Sequence, residues 1–196
     1  MIPKLSKLLV VFLFFSCTVK SEEYEITILA TNIANFGGVG EWSFSALLEN
    51  ENESILFDTG FDEDTVLHNA QLLGKDLSKV EKVILSHFHG DHTGGLLKLR
   101  KTHMKINPKS FSTVYVADGF FEQRYDIDGN LRGFIGGFDD VNEFIKETDA
   151  LGINFKIIKE PHEISENLIL SGPVERIFES VVVSPGSVSY TQLTQP

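Results

Sequence analysis

The chain has 196 residues, 42% of them hydrophobic, and a formal net charge of −11. That is apolar material enough for one domain with a sizeable core. The acidic balance leaves no basic stripe to neutralise phosphates, which excludes nucleic acid as the main partner. One cysteine, Cys17, excludes an intramolecular disulfide.

At the start, Lys4 and Lys7 stand without any acid, and Leu8 to Phe15 (LLVVFLFF) follow as an apolar run closed by Ser16-Cys17. The run is too short to span a hydrocarbon layer of about 30 Å but fits a secretory signal. Its end resembles a bacterial lipoprotein signal, in which a small residue precedes a lipid-modified cysteine. The resemblance implies that residues 1–16 are removed and that Cys17 is the lipid attachment site. It further implies export to the periplasm or cell envelope, with a lipid as the only hold on the membrane. An ordinary signal peptide cleaved nearby is the alternative.

Beyond a polar spacer, YEITILAT alternates apolar Ile26, Ile28 and Ala30, which predicts a strand. A Gly-rich loop, FGGVGEW, follows. SFSALLEN and SILFDTG read as two strands joined by a turn at Glu49 to Asn52. DEDTVLHNAQLLG predicts a helix capped by Asp62, with Val66, Leu67 and Leu73 on one face and Gly74 as its stop. KVEKVILS is a strand that runs into HFHGDH, and HTGGLLKLRK opens a further helix. Then come a strand (STVYVA), a Gly- and Phe-rich segment from Phe120 to Phe138, a helix (DDVNEFIKETDALG) and two strands (NFKIIKE, NLILSG). Alternating strands and helices predict an α/β or layered α+β domain over residues 24–184.

His87, His89, Asp91 and His92 fall within six residues. On extended backbone, residues two apart point to one side, so His87 and His89 can face one ion. Gly90 lets the chain turn, and Asp91 with His92 can face a second. Imidazole and carboxylate together suit zinc, iron or manganese. A surface turn would not need three histidines and an aspartate directly after a buried strand.

The His-x-His-x-Asp-His run with its Thr-Gly-Gly resembles the metallo-β-lactamase superfamily, and LFDTG resembles the Asp-bearing strand end that precedes the motif there. LGKDLSKVEKVILSHFHGDHTGGL, GFFEQRY and GINFKIIKEPHEISENLILSGPVERIFE look like its subfamily of metal-dependent hydrolases that includes an archaeal dihydropterin–ribofuranosylaminobenzene phosphate synthase. The resemblance implies a four-layer αββα sandwich and two divalent ions, zinc foremost, held by His87, His89, Asp91 and His92. Asp91 would also accept or orient a proton, and Asp58 would support the metal loop from behind. It implies a hydrolase that turns metal-activated water on an ester, amide or phosphoester of small size. Histidine rather than glutamate at position 89 separates the chain from redox di-iron relatives. A synthase-like transferase on the same fold and a non-catalytic metal-binding lipoprotein are the alternatives.

Both ions would need further ligands. His68 lies in the upstream helix, His103 just past the helix after the motif, and His162 in a connecting loop after Pro161; all three read as surface residues. The chain closes on SVSYTQLTQP, which has no apolar period and resembles the translation of a sequencing adapter. Residues 185–196 are therefore expected to be foreign to the natural protein. Residues 24–184 would be the N-terminal part of the sandwich, with little or no hydrolysis of its own. A genuine short paralogue with half a site is the alternative.

Overall fold

A computed structural model describes residues 23–126 and 128–172, together with the backbone of 187–188. Cys17 and the expected signal lie outside the described residues, as does most of the expected foreign tail. Among the described residues no helix is long and apolar enough to cross a membrane.

Six strands form one mixed sheet: β1 (Glu25–Ala30), β2 (Ser45–Glu49), β3 (Ser54–Phe57), β4 (Val80–Ile84), β5 (Thr113–Ala117) and β7 (Asn154–Ile158), in that order across the sheet. β1, β2 and β3 pair antiparallel, as the turn after Glu49 predicts; Asn50 Oδ1 accepts from the backbone of Asn52 and Glu53 at 2.8 and 2.9 Å. β3, β4, β5 and β7 pair parallel. Parallel neighbours need a crossover, and helices supply it. α1 (Thr65–Leu72) links β3 to β4; α2 (Gly90–Thr93) and α3 (Leu96–His103) link β4 to β5; α4 (Val141–Ala150) precedes β7. Between β5 and α4 lies the short β6 (Tyr125–Asp126), paired with β10 (Ser187–Val188). β8 (His162–Ser165) and β9 (Leu168–Leu170) make a separate hairpin.

The two faces of the sheet are covered differently. Leu47, Leu56, Val83 and Val114 pack with Val66 and Ala70 of α1, Leu96 and Leu99 of α3, and Val141 and Phe144 of α4. Each large aliphatic side chain taken fully out of water there contributes about 1.5–3 kcal/mol. On the other face, Ile55, Ile84 and Tyr115 meet Ile164, Leu168 and Leu170 of the β8–β9 hairpin. Lys82 fastens that hairpin, donating to the Ile164 carbonyl at 2.7 Å and to Glu53 at 2.9 Å. The described residues thus form the helix layer and first sheet of a layered α/β fold, with a hairpin over part of the second face.

β1 forms, with Leu29 buried against the helices and Ile26 and Ile28, 62% and 46% exposed, on the opposite face, which the hairpin leaves open there. Expectations on α1 and His162 are corrected. α1 begins at Thr65 rather than after Asp62, whose carboxylate accepts from the Asp64 amide at 2.9 Å in the preceding turn. Its inward face is Val66, Asn69 and Ala70, and Leu73 is about half exposed (48%). His162 opens a strand instead of lying in a loop. Gly74 does end α1, in the left-handed conformation at φ 68°, with the Lys75 amide reaching back to the Ala70 carbonyl at 2.9 Å.

Candidate metal centre

Parallel pairing puts the C-terminal ends of β3, β4 and β5 at one edge of the sheet. Asp58 follows β3 directly and the histidine segment follows β4 after Leu85 and Ser86. His89 is still extended (φ −62°, ψ 148°), and the four residues from Gly90 form a helical turn. The backbone therefore presents His87 and His89 from extended chain and Asp91 and His92 from the turn. Gly90 itself does not turn the chain in a way only glycine allows. It is buried, and a Cβ there would sit 3.0 Å from the Phe134 carbonyl oxygen, so its requirement is close approach.

The turn is clamped to the end of β3. The Thr59 amide and hydroxyl both donate to the His92 carbonyl, at 2.8 and 3.0 Å, and the Gly94 amide donates to the Gly60 carbonyl at 3.0 Å. Thr93, fully buried, bonds back to the His89 carbonyl at 2.9 Å and accepts from the Gly136 amide at 2.7 Å. Glu41 braces the same region, accepting from the Phe61 and Asp62 amides and the Thr65 hydroxyl at 2.8–3.0 Å. Burial pushes its carboxyl up, but these bonds and one from Ser43 hold it below the usual carboxylate range.

Asp58 is the hub. Its side chain is 1% exposed and its backbone is left-handed at φ 55°, a region Asp tolerates better than most residues. One carboxylate oxygen accepts from the Ser86 amide at 2.7 Å. The other accepts from the Ser86 hydroxyl and from His92 Nδ1, both at 2.7 Å. Burial raises its pKa against those three bonds, yet three donors converging on it call for the ionised form.

This network assigns two tautomers. His92 donates Nδ1–H to Asp58, leaving Nε2 as a lone pair. The Ser86 hydroxyl spends its proton on Asp58, so it accepts from His87 Nδ1 at 3.0 Å, and His87 Nε2 is likewise a lone pair. Burial, then the charges of His92 and His89, push His87 down to about 4, so it is neutral at physiological pH. Ligand atoms of His87, Asp91 and His92 all lie within 4.8 Å of one another. One ion with bonds near 2.0–2.2 Å wants its ligands roughly 3.3–3.5 Å apart. Side-chain torsions of these partly exposed residues can close that gap, so the donor set fits a divalent ion. His89 stands beside the triad, its Nδ1 3.2 Å from His87 Nε2.

The other histidines are elsewhere. His68 Nε2 bonds the Gly37 carbonyl at 2.8 Å, His103 Nδ1 bonds the Leu99 carbonyl of its own helix at 2.9 Å, and His162 lies beside Tyr115 on the hairpin face. Ser86, Thr59 and Thr93 escaped the sequence reading. Ser86 had one signal, its place between an apolar strand and the first histidine; the threonines stood in LFDTG and Thr-Gly-Gly, where nothing showed what they bond.

Asp58→Ala should weaken zinc binding about 10–100-fold, since it releases both His92 and Ser86. The check is competition with a chelating dye, alongside thermal unfolding of the metal-free protein. Unchanged zinc affinity in a folded variant would remove Asp58 from the site.

Residues 43–168 match the metallo-beta-lactamase superfamily. An uncharacterized protein of Methanocaldococcus jannaschii is 33% identical over 154 residues, covering 79% of this chain and 55% of the relative. The 7,8-dihydropterin-6-methyl-4-(beta-D-ribofuranosyl)-aminobenzene-5'-phosphate synthase of the same organism is 27% identical over 164 residues, covering 80% and 52%. Among solved structures, Tm1679, a metal-dependent hydrolase of the beta-lactamase superfamily, aligns with a TM-score of 0.53 at 30% identity, over 78% of this chain and 49% of its own. The chain spans about half the length of the curated relatives it matches. Family match, sheet order and the His/Asp cluster agree: the chain belongs to the metallo-beta-lactamase superfamily.

Proposed function

We propose that the chain serves a metal-dependent hydrolase acting on a small ester, amide or phosphoester. His87, His89, Asp91 and His92 are its ligands toward two divalent ions, zinc foremost. The observation that carries this reading is the Asp58–Ser86 network, which frees two imidazole lone pairs beside one carboxylate. Divalent ions held there supply Lewis acidity and acidify water. Asp58 keeps His92 in one tautomer, and the Asp91 carboxylate, 3.6 Å from His92 Nε2, takes the proton released as water attacks.

A second reading, bond-forming chemistry on the same scaffold, is favoured by the relative named as a synthase. The test is turnover of a phosphodiester, an ester and a lactone by the zinc- or manganese-loaded chain. Turnover is expected to be low, because among the described residues four ligands from one loop leave both coordination spheres unfinished. It should vanish with chelator and fall about 10²–10⁴-fold in Asp91→Asn with zinc still bound. Turnover that survives both changes rules out this mechanism. Bound zinc without turnover on any substrate favours the synthase or a binding-only role.

A further inference from the structure

The loop after β5 comes to the same sheet edge as Asp58 and the histidines, and it brings Arg124. Its guanidinium carbon lies 3.3 Å from the centroid of the Phe88 ring. Phe88 stands between two candidate ligands, its ring 4.4 Å from that of His89 and 6.3 Å from that of His87.

This cation is held but not neutralised. Nη1 donates to the Glu122 carbonyl at 2.7 Å and Nη2 to the Gly119 carbonyl at 3.3 Å. A guanidinium has five N–H donors, so these bonds position it without saturating it. Nε is buried and has no partner among the described residues. Among those residues no carboxylate lies within ion-pair distance of Arg124. Burial pushes its pKa below the usual guanidinium range, and the charge of exposed Glu122 offsets that only in part. Partial burial of an unpaired cation is costly, and an arrangement that fixes its plane on an aromatic ring keeps its fork ready for a planar or tetrahedral oxyanion. Arg132, by contrast, sits 5.4 Å over Phe134 on exposed chain.

We propose that Arg124 recognises an anionic group of the substrate, phosphate or carboxylate, and fixes it beside the metal cluster. The word substrate rests on the hydrolase reading; the anion site does not. The test therefore uses the metal-free full chain, titrated with phenylphosphonate, with benzoate and with neutral benzyl alcohol, and followed by NMR. Phenylphosphonate or benzoate should bind in the millimolar range and benzyl alcohol should not. Arg124→Gln should weaken the anion at least about tenfold. Arg124→Lys should recover part of the loss, and Arg132→Gln should bind as the parent does. Preference for phenylphosphonate assigns a phosphoester, and preference for benzoate a carboxylate. If Arg124→Gln fails to fold by circular dichroism, the lysine variant decides: a cation without the fork should bind more weakly than the parent. Equal binding by the parent and the folded Arg124 variants, or no anion binding by the parent, overturns the proposal. Either result leaves metal binding, read separately, as the measure of the hydrolase assignment.

Discussion

Converting His87 and His89 together to alanine should abolish bound zinc, measured by elemental analysis after equilibration with the free ion. The double variant keeps Asp91 and His92, but two ligands from one partly exposed turn leave an ion mostly to water. Neither ring is needed for the fold. His89 is exposed, and His87 contributes one bond to Ser86, whose hydroxyl stays anchored on Asp58. Stability of the metal-free protein should therefore change by about 0.5 kcal/mol or less. Zinc retained undiminished would mean that the ligands lie elsewhere in the chain. Loss of both zinc and fold would mean that the histidines are structural.

Gly94→Ala should destabilise the metal-free protein by about 3 kcal/mol or more, although helix propensity alone argues the other way. Gly94 is helical at φ −62°, where alanine is favoured over glycine by about 1 kcal/mol. A Cβ there, however, would run into the backbone carbonyl of Phe61, and one on Gly95 into that of Thr59. Neither obstacle is a side-chain tip that can swing away. Thr59 and Gly60 are buried and tied to His92 and Gly94 by backbone bonds, so a shift would open the clamp that holds the histidine turn. Gly74→Ala is the control. It meets nothing within 4 Å, and its φ of 68° costs alanine only about 1–2 kcal/mol. Urea unfolding of the variants gives the comparison. A neutral Gly94→Ala would show that the motif helix does not lie against the β3 end in solution.

Much of this arrangement was legible in the residues themselves, and for physical reasons. The order of strands and helices follows from apolar period, turn residues and glycine stops, all local properties of the backbone. The metal candidates were legible because four donor side chains fall within six residues, so no folding is needed to bring them near one another. Asp58 was assignable only through the resemblance carried by LFDTG, because nothing in its own neighbourhood says that it meets His92 34 positions later. That meeting depends on β3 and β4 pairing parallel, which brings the ends of two distant strands side by side. Tertiary structure alone decided the rest. Which face of β1 meets the helices was decided there: Leu29 turns to them while Ile26 and Ile28 point the other way, and strand period shows two faces without saying which is covered. Gly94 and Gly95 stand in the Thr-Gly-Gly of the motif, but only the fold sets the Phe61 and Thr59 carbonyls against them. Arg124 stands in GFFEQRY, where nothing in the sequence shows what it meets. It became a candidate because the end of β5 lies next to the end of β4, setting a cation on Phe88 where no acid among the described residues comes to meet it.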